Sequence, residues 1–376
     1  MKSTARASLS EFLGDRVVYR ALVPADPSLP ALAETAARIG LPAGRTPRKS
    51  EADYGRVVAV LLGRAQELRR AAPLRRLLFV GDTRLLDGSA FANLCAAGGW
   101  PGLAFIGSEN DKPRSVEVVP GEGGTGMYLA NRWAALADFA AYAPAHGFPV
   151  DEATALVLDV DKTSLGARGR NGGVIDAARV AAVEATVAEL LGPAFRQEPF
   201  RQAYAALNEP EFHPFTGDNQ DYLAYICLML GSGLFALGPL MEAVRAGRLG
   251  TFEQFIAQVD ARRAELSPAL AALHAEIYAL VRAGDPTPFK SFRRTEYRLT
   301  LARFGCLGDD APVERMLKEE IVLTQEVRAL ALDFERRGAL VFGLSDKPDE
   351  AALPTPELAA QGWLPLHRAA THAVGE

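Results

Sequence analysis

The segment ALVLDVDKTSLGARGRN, residues 155–171, places two aspartates one residue apart directly after an apolar run of strand length. Because the backbone turns where a strand ends, Asp159 and Asp161 can converge although side chains alternate along the strand itself. One ionised carboxylate of such a pair can attack phosphorus or bind a divalent cation. The other, whose pKa is raised by its neighbour, can protonate a leaving oxygen. The pattern therefore predicts a phosphoryl-transfer site, and the alternative is a solvated strand-end turn with a helix-capping aspartate.

The run LVLDVDKTS resembles the first motif of the haloacid dehalogenase-like superfamily of phosphohydrolases, an apolar strand followed by DxDx(T/V). The resemblance implies that Asp159 is the nucleophile and forms an aspartyl-phosphate, that Asp161 is the general acid and base, and that Thr163 stabilises the turn. Members that cleave carbon–halogen bonds lack the second aspartate, so Asp161 favours phosphoryl chemistry.

Three other segments match further motifs of that superfamily. GALVFGLSDKP is similar to the second motif and implies that the Ser345 hydroxyl binds a phosphoryl oxygen. LLFVGDTRLLDG is similar to the fourth, acidic motif and implies that Asp82 and Asp87 help to hold Mg²⁺ together with Asp159 and Asp161. Carboxylate oxygens are the ligands that Mg²⁺ prefers.

The third motif of the superfamily is a single lysine that neutralises the nucleophile and the phosphoryl group. Lys49, in TPRKSEADYGRVV, lies at about the expected distance before the fourth motif and opens a helix-like segment. Lys347, two residues after Ser345, is the alternative. The sequence leaves open which of the two serves the phosphoryl group.

Two loops contain side chains that could bind a substrate. Arg168, Arg170 and Asn171 follow the nucleophile closely, and arginine forks suit oxyanions. The second loop, LNEPEFHPFTGDNQDYLAY, interrupts a helical pattern with hydrogen-bonding residues, of which we predict a substrate-binding role for Asn208, His213, Asp218 and Asn219. The alternatives are surface charge for the arginines and a capped helix junction for the second loop, with Asp218 or Asn219 as N-cap.

Three zones of the chain must position these residues. Residues 1–150 alternate strand-like and helix-like segments, residues 174–338 are almost wholly helical, and a buried strand returns after them. We therefore predict an α/β fold, a Rossmann-like parallel sheet formed by 1–164 and 336–376, with an all-helical cap at 165–335. Because the third and fourth motifs precede the first and second, the core is expected to be circularly permuted. The alternative makes 1–150 a separate domain and GDTRLLD a chance match.

Composition limits the possible partners and compartment. The formal charge of −5 argues against a general nucleic-acid or membrane-surface binder, and no window approaches about 18 uninterrupted apolar residues. The three cysteines are far apart without metal-ligand spacing, which is typical of reduced thiols in a cytoplasmic protein. We expect a cytoplasmic phosphatase that acts on a small phosphorylated molecule with Mg²⁺. The alternatives are a phosphomutase or phosphotransferase using the same site and a non-catalytic ligand-binding relative.

Overall fold

The structure of the protein is a computed structural model that describes residues 1–42 and 44–376. The chain divides into two compact units, which are treated separately below. The first consists of Met1–Ala177 with Thr300–Glu376, and the second of Ala178–Leu299. The second unit is inserted in the chain between the two parts of the first.

The first unit is a mixed α/β structure with a mostly parallel central sheet of seven described strands. The strands of the chain are β1 (Lys2–Ala7), β2 (Val17–Val18), β3 (Arg76–Gly81), β4 (Gly102–Gly107), β5 (Val116–Pro120), β6 (Thr125–Ala130), β7 (Thr154–Asp159), β8 (Leu323–Thr324), β9 (Leu340–Leu344) and β10 (Thr371–Gly375). The central sheet has the order β2-β9-β7-β3-β4-β6-β5. All neighbours in it are parallel except the edge strand β5, which pairs with β6 in the antiparallel direction.

The central strands form because their sequences are continuous apolar runs. β7 reads TALVLD and β9 reads LVFGL, and every residue of both is buried. Such runs are typical of parallel strands covered on both faces. β7 pairs with β3 on one side and with β9 on the other, so the carboxyl ends of the three strands lie at the same edge of the sheet.

Helices cover the sheet and bury its side chains. The helices of the first unit include α1 (Ser10–Leu13), α2 (Leu32–Ile39), α3 (Ala52–Leu68), α4 (Leu86–Gly98), α5 (Leu136–Ala145), α14 (Val313–Glu319), α15 (Gln325–Arg336) and α16 (Pro356–Ala360). Val57 and Leu61 of α3 and Phe91 of α4 share one apolar core with Phe79 of β3 and Val157 of β7. Packing of α3 and α4 against these strands fixes the loops that precede the two helices.

A second, smaller sheet with the order β1-β10-β8 joins the first and last strands of the chain. Lys2 pairs with Gly375 in the antiparallel direction, and β8 pairs with β10 in parallel. β8, α14 and α15 belong to the first unit, so the inserted unit is shorter than the cap of residues 165–335 that the sequence predicts.

The second unit is helical throughout its described elements. Its helices, with the two that cross the boundaries of the unit, are α6 (Gly172–Leu191), α7 (Gln197–Leu207), α8 (His213–Thr216), α9 (Gln220–Gly231), α10 (Leu237–Arg245), α11 (Phe252–Ala261), α12 (Pro268–Arg282) and α13 (Lys290–Leu301). Leu223–Met229 of α9 are all buried, and they form one core with Phe252 and Phe255 of α11. Within residues 1–42 and 44–376, none of the helices combines the length and apolar character needed to cross a membrane.

Candidate functional site

Three of the predicted site segments meet at the carboxyl edge of the central sheet. Asp159 is the last residue of β7, Asp82 follows the last residue of β3, and Ser345 follows the last residue of β9. The register pairs Leu158 with Val80 and with Gly343. Because the three strands are adjacent and parallel, the loops that follow them lie together.

Three carboxylates form a buried cluster at this edge. One oxygen each from Asp82, Asp87 and Asp159 lies within 4.8 Å of the others. Asp87 lies in the first turn of α4, and its Oδ2 accepts hydrogen bonds from the backbone N–H groups of Asp82 (3.0 Å) and Thr83 (2.9 Å) and from the Thr83 hydroxyl (2.9 Å). Asp87 therefore closes the loop between β3 and α4, while Asp82 and Asp159 present their carboxylates to the cluster.

Lys49 is buried against two of these carboxylates. Its Nζ donates to Asp159 Oδ1 at 2.5 Å and to Asp87 Oδ1 at 3.0 Å, and only 4% of its side chain is exposed. The Asn93 side chain of α4 donates to the Lys49 carbonyl and holds the backbone. Burial lowers the pKa of Lys49, but attraction by Asp159 and Asp87 outweighs it and raises the pKa well above its usual range. Lys49 is therefore a permanent cation within the cluster.

The second aspartate of the DxD pair has a different environment. The Ser345 hydroxyl donates to Asp161 Oδ2 at 3.0 Å, and the Lys347 backbone N–H donates to that hydroxyl at 3.0 Å. Lys347 Nζ lies 3.9 Å from Asp161 Oδ1. Asp161 is a quarter exposed, unlike Asp159. Each predicted lysine thus accompanies a different aspartate, Lys49 the first and Lys347 the second.

The turn after β7 is held by a residue that the sequence analysis missed. The Ser164 hydroxyl donates to the Asp159 carbonyl at 2.7 Å, whereas the buried Thr163 hydroxyl makes no hydrogen bond within the described part of the chain. Thr163 contributes through its carbonyl, which accepts from the Thr324 hydroxyl at 2.5 Å. Lys162 has φ of 60°, in the left-handed region that residues other than glycine seldom adopt. Nothing in the residue types at 163 and 164 indicates which hydroxyl takes this role.

Arg168, Arg170 and Asn171 have different environments. Arg168 Nε donates to Asp82 Oδ2 at 2.5 Å and lies at the cluster. Arg170 is buried between Glu109 and Glu326, with nitrogen–oxygen distances of 2.7 and 2.8 Å. The Asn171 amide donates to the carbonyls of Leu317 and Glu320, and its oxygen accepts from the Val322 N–H. Arg170 and Asn171 therefore hold the loop in place, and only Arg168 of the three reaches the carboxylates.

The predicted recognition residues of the second loop all lie in the helical unit, where they bond to one another or to the backbone. Asn219 is the N-cap of α9 and accepts from the Asp221 N–H. The Asn208 side chain accepts from Gln220, and its carbonyl lies 3.2 Å from the His213 ring. Asp218 has φ of 50° and lies 3.8 Å from the His213 ring nitrogen. These contacts are those of a capped helix junction.

Tyr54 is a further buried polar group that the sequence analysis did not single out. It lies in the first turn of α3, is 1% exposed, and its hydroxyl makes no hydrogen bond to any residue that the structure describes. Burial is the main cause that raises the pKa of Tyr54. The Lys49 charge opposes this rise, and the Asp159 and Asp87 charges add to it. No pattern of residue types distinguishes this tyrosine from an ordinary core residue.

The charges of the cluster suit a hard divalent cation. The pKa of Asp82 is raised to about 7, first by burial and then by the neighbouring Asp87. Arg168 opposes this rise but only partly offsets it. Burial opposes ionisation of Asp87, but Lys49 and the bonds from Thr83 lower its pKa to about 2. Burial raises the pKa of Asp159 well above its usual range, and its buried Oδ2 has no hydrogen-bond partner among residues 1–42 and 44–376. An unpaired buried carboxylate oxygen beside two further carboxylates fits a cation such as Mg²⁺, Mn²⁺ or Ca²⁺.

No protein-family model, curated protein or solved structure matches this chain. The class of protein is therefore described from its own fold and from the side chains at its candidate site. It is an α/β protein whose mostly parallel central sheet carries a buried cluster of three aspartates and a lysine at the carboxyl edge of its parallel strands. In open parallel sheets this edge is the usual position of a ligand site.

Proposed function

We propose that this chain is a Mg²⁺-dependent phosphohydrolase of the haloacid dehalogenase-like superfamily, acting on a small phosphorylated molecule through an aspartyl-phosphate. One observation carries the proposal. Oxygens of Asp82 and Asp87, from the fourth-motif segment, lie within 4.8 Å of an oxygen of Asp159, from the first-motif segment. A chance match of GDTRLLD to an acidic motif would have no reason to lie beside the aspartates of DVDKT.

We further infer that the core is circularly permuted. β3 precedes β7 in the chain, yet the two strands pair in parallel, and β9 pairs with the other side of β7. The strands that carry the fourth, first and second motifs, β3, β7 and β9, are thus neighbours in the sheet although the fourth motif comes first in the chain. This arrangement supports a single composite site more than it supports a separate domain formed by residues 1–150.

In the proposed first step, the Asp159 carboxylate attacks phosphorus as the ester P–O bond breaks, and Asp161 gives its proton to the leaving oxygen. Lys49 orients Asp159 through the 2.5 Å hydrogen bond and offsets the charge of the incoming phosphoryl group. Ser345 holds Asp161 through its hydroxyl. In the second step Asp161 takes a proton from the water that attacks phosphorus, and the Asp159–phosphorus bond breaks to release inorganic phosphate.

Asp82 and Asp159 would hold Mg²⁺. Asp87 would keep the Asp82 loop in place through its bonds to the backbone, and it would hold Lys49 through their ion pair. When bound, Mg²⁺ would reduce the repulsion between phosphate oxygens and the carboxylates. The chain's contribution is to keep three carboxylates close together at low exposure, where they attract a cation strongly.

The test is a screen of phosphorylated metabolites and a generic aryl phosphate with Mg²⁺, in which free phosphate is measured. Asp159→Asn should lower turnover by at least about a thousandfold, because it removes the nucleophile. The control is Asp111→Asn, which neutralises an exposed aspartate that forms no ion pair among the described residues and should leave the activity unchanged.

Two results would contradict parts of the proposal. Equal activity of Asp159→Asn and the wild-type chain would exclude the catalytic role of Asp159. Phosphate transfer to a sugar hydroxyl without release of free phosphate would identify a phosphomutase or phosphotransferase instead of a hydrolase.

A further inference from the structure

The loop that follows β7 holds the backbone of Arg168 in place. Its carbonyl accepts hydrogen bonds from the Glu109 N–H at 2.9 Å and from the Trp133 indole at 3.1 Å, and its N–H donates to the Lys162 carbonyl at 2.7 Å. The next residue, Gly169, has φ of 79°, and a Cβ there would lie 1.9 Å from the Glu109 carbonyl oxygen. The position of Arg168 is therefore fixed by contacts that do not involve its own side chain.

The Arg168 side chain, in contrast, has a single ionic partner among the described residues. Its Nε lies 2.5 Å from Asp82 Oδ2, while 40% of the side chain is exposed and only 6% of the Asp82 side chain is. The guanidinium thus reaches from solvent into the carboxylate cluster. It can leave Asp82 by changing rotamer, without movement of the loop.

Arg168 and a divalent cation compete for Asp82. The oxygen that accepts from the guanidinium belongs to one of the three carboxylates that are close enough to share a cation. Two cations at one carboxylate repel each other, and this repulsion is strong at a site of low exposure. Lys49 does not compete in the same way, because it is bonded to Asp159 and Asp87 and not to Asp82.

We propose that Arg168 occupies the cation position at Asp82 in the metal-free protein, and that cation binding releases its guanidinium to bind the anionic group of the substrate. The inference rests on the proposed function, because it uses the same cation site. A planar guanidinium fork matches a phosphate or carboxylate. The exchange imposes an order, in which the cation binds first and the anion second, since Arg168 becomes available only when Asp82 has another partner.

The first test is calorimetric titration of Mn²⁺ into the metal-free chain and three variants. Arg168→Gln removes the competitor and should bind Mn²⁺ roughly threefold to tenfold more tightly than the wild-type chain. Arg168→Lys keeps a cation at this position and should remain closer to wild type. The matched control is Arg84→Gln, because Arg84 is an exposed arginine of the neighbouring β3–α4 loop without a described ion pair. It reports the general effect of removing one positive charge near the site.

The second test is titration of inorganic phosphate with and without saturating Mg²⁺. Without the cation, Arg168→Gln and the wild-type chain should bind phosphate equally weakly, because Arg168 is held by Asp82. With Mg²⁺, the wild-type chain should bind phosphate several-fold more tightly than Arg168→Gln. This dependence on the cation is not expected of an arginine that is always free.

The outcomes separate this inference from the proposed function. If the wild-type chain binds Mn²⁺ but Arg168→Gln binds it no more tightly than Arg84→Gln, the exchange is overturned and the proposed function stands. A phosphate-affinity loss of equal size with and without Mg²⁺ also overturns the exchange. If none of the four chains binds Mn²⁺, the metal-dependent function fails, and the exchange fails with it.

Discussion

The Lys49 ammonium is the central charge of the acidic cluster. Lys49 is buried beside Asp159 and Asp87. Only 4% of the Lys49 side chain, 2% of the Asp87 side chain and 6% of the Asp159 side chain are exposed. An unpaired charge at such a site costs several kcal/mol, whereas a paired one is tolerated. Lys49 therefore offsets part of the cost of burying the two carboxylates: it lowers the pKa of Asp87 below its usual range and opposes, without cancelling, the rise that burial causes in the pKa of Asp159.

Replacement of Lys49 by methionine should destabilise the protein. The two carboxylates would remain buried without their cation, and loss of one partner of a buried ion pair typically costs about 3–5 kcal/mol. Urea unfolding followed by circular dichroism measures the change. Lys318→Met is the control, because Lys318 is exposed on α14, and it should alter the unfolding free energy by less than about 0.5 kcal/mol. Equal curves for the two variants would contradict the assigned role of Lys49.

Tyr54→Phe should leave the unfolding free energy unchanged or raise it by up to about 1 kcal/mol. The Tyr54 hydroxyl is buried without a partner among the residues that the structure describes, so its removal eliminates a desolvation cost and no hydrogen bond seen there. Tyr225→Phe is the matched contrast, because the Tyr225 hydroxyl is bonded to the His274 ring at 2.6 Å and its loss should cost about 1–3 kcal/mol. Thermal unfolding of both variants tests the difference, and a Tyr54→Phe variant as unstable as Tyr225→Phe would show that the hydroxyl has a partner.

At the scale of elements, loops rather than strands decide the geometry of the site. The loop after β7 passes so close to the backbone of Glu109 that residue 169 must be glycine. Gly169→Ala should therefore displace the loop, lower the unfolding free energy by more than about 1 kcal/mol and weaken Mn²⁺ binding. Gly173→Ala on α6 is the control, because among the described residues a Cβ there would meet no atom within 4 Å beyond its chain neighbours and its own helix backbone, and it should be neutral or slightly stabilising. Equal behaviour of the two variants in calorimetry would exclude the close approach.

The helical unit contains a buried histidine whose titration should affect stability. His274 bonds to Tyr225 and to Asp260, and burial lowers its pKa although Asp260 opposes this. Because the folded state favours the neutral ring, the stabilisation is present above the ordinary pKa of about 6.5 and is lost as the pH falls below it. The melting-temperature difference between wild type and His274→Gln should shrink from pH 7.5 to pH 5.5. A difference that grows on acidification would contradict this direction.

The strands and their ends were accessible from the sequence, whereas the partners of loop residues were not. Apolar runs such as TALVLD and LVFGL predict buried strands, and parallel pairing then brings Asp159 and Ser345 to one edge. Arg170 and Asn171 lie in the same polar loop as Arg168. Their side chains nevertheless bind groups more than 140 positions later in the chain. Local patterns do not contain such contacts. β8 was missed for the same reason, because its two residues form a strand only through pairing with β10.

At the scale of the whole molecule, the order of the chain and the order of the sheet differ. The first strand β1 and the last strand β10 are hydrogen-bonded neighbours, with Lys2 opposite Gly375. The loop between α5 and β7 contains the exposed pair His146 and Gly147. The ends can therefore be joined and this loop opened without breaking a strand of either sheet.

A chain that begins at Gly147, continues through Glu376 and a flexible linker of about five residues to Met1, and ends at His146 should fold and keep the site. Its segments would then occur in the order Asp159, Ser345, Lys49 and Asp82, and the strands would pair as before, since sheet order depends on packing and not on connectivity. Circular dichroism and Mn²⁺ titration should match those of the control, the original chain carrying the same linker at its end. A permuted chain that folds but no longer binds Mn²⁺, beside a control that does, would show that the connection between α5 and β7 holds Asp82 against Asp159. The site would then depend on more than the adjacency of three strand ends.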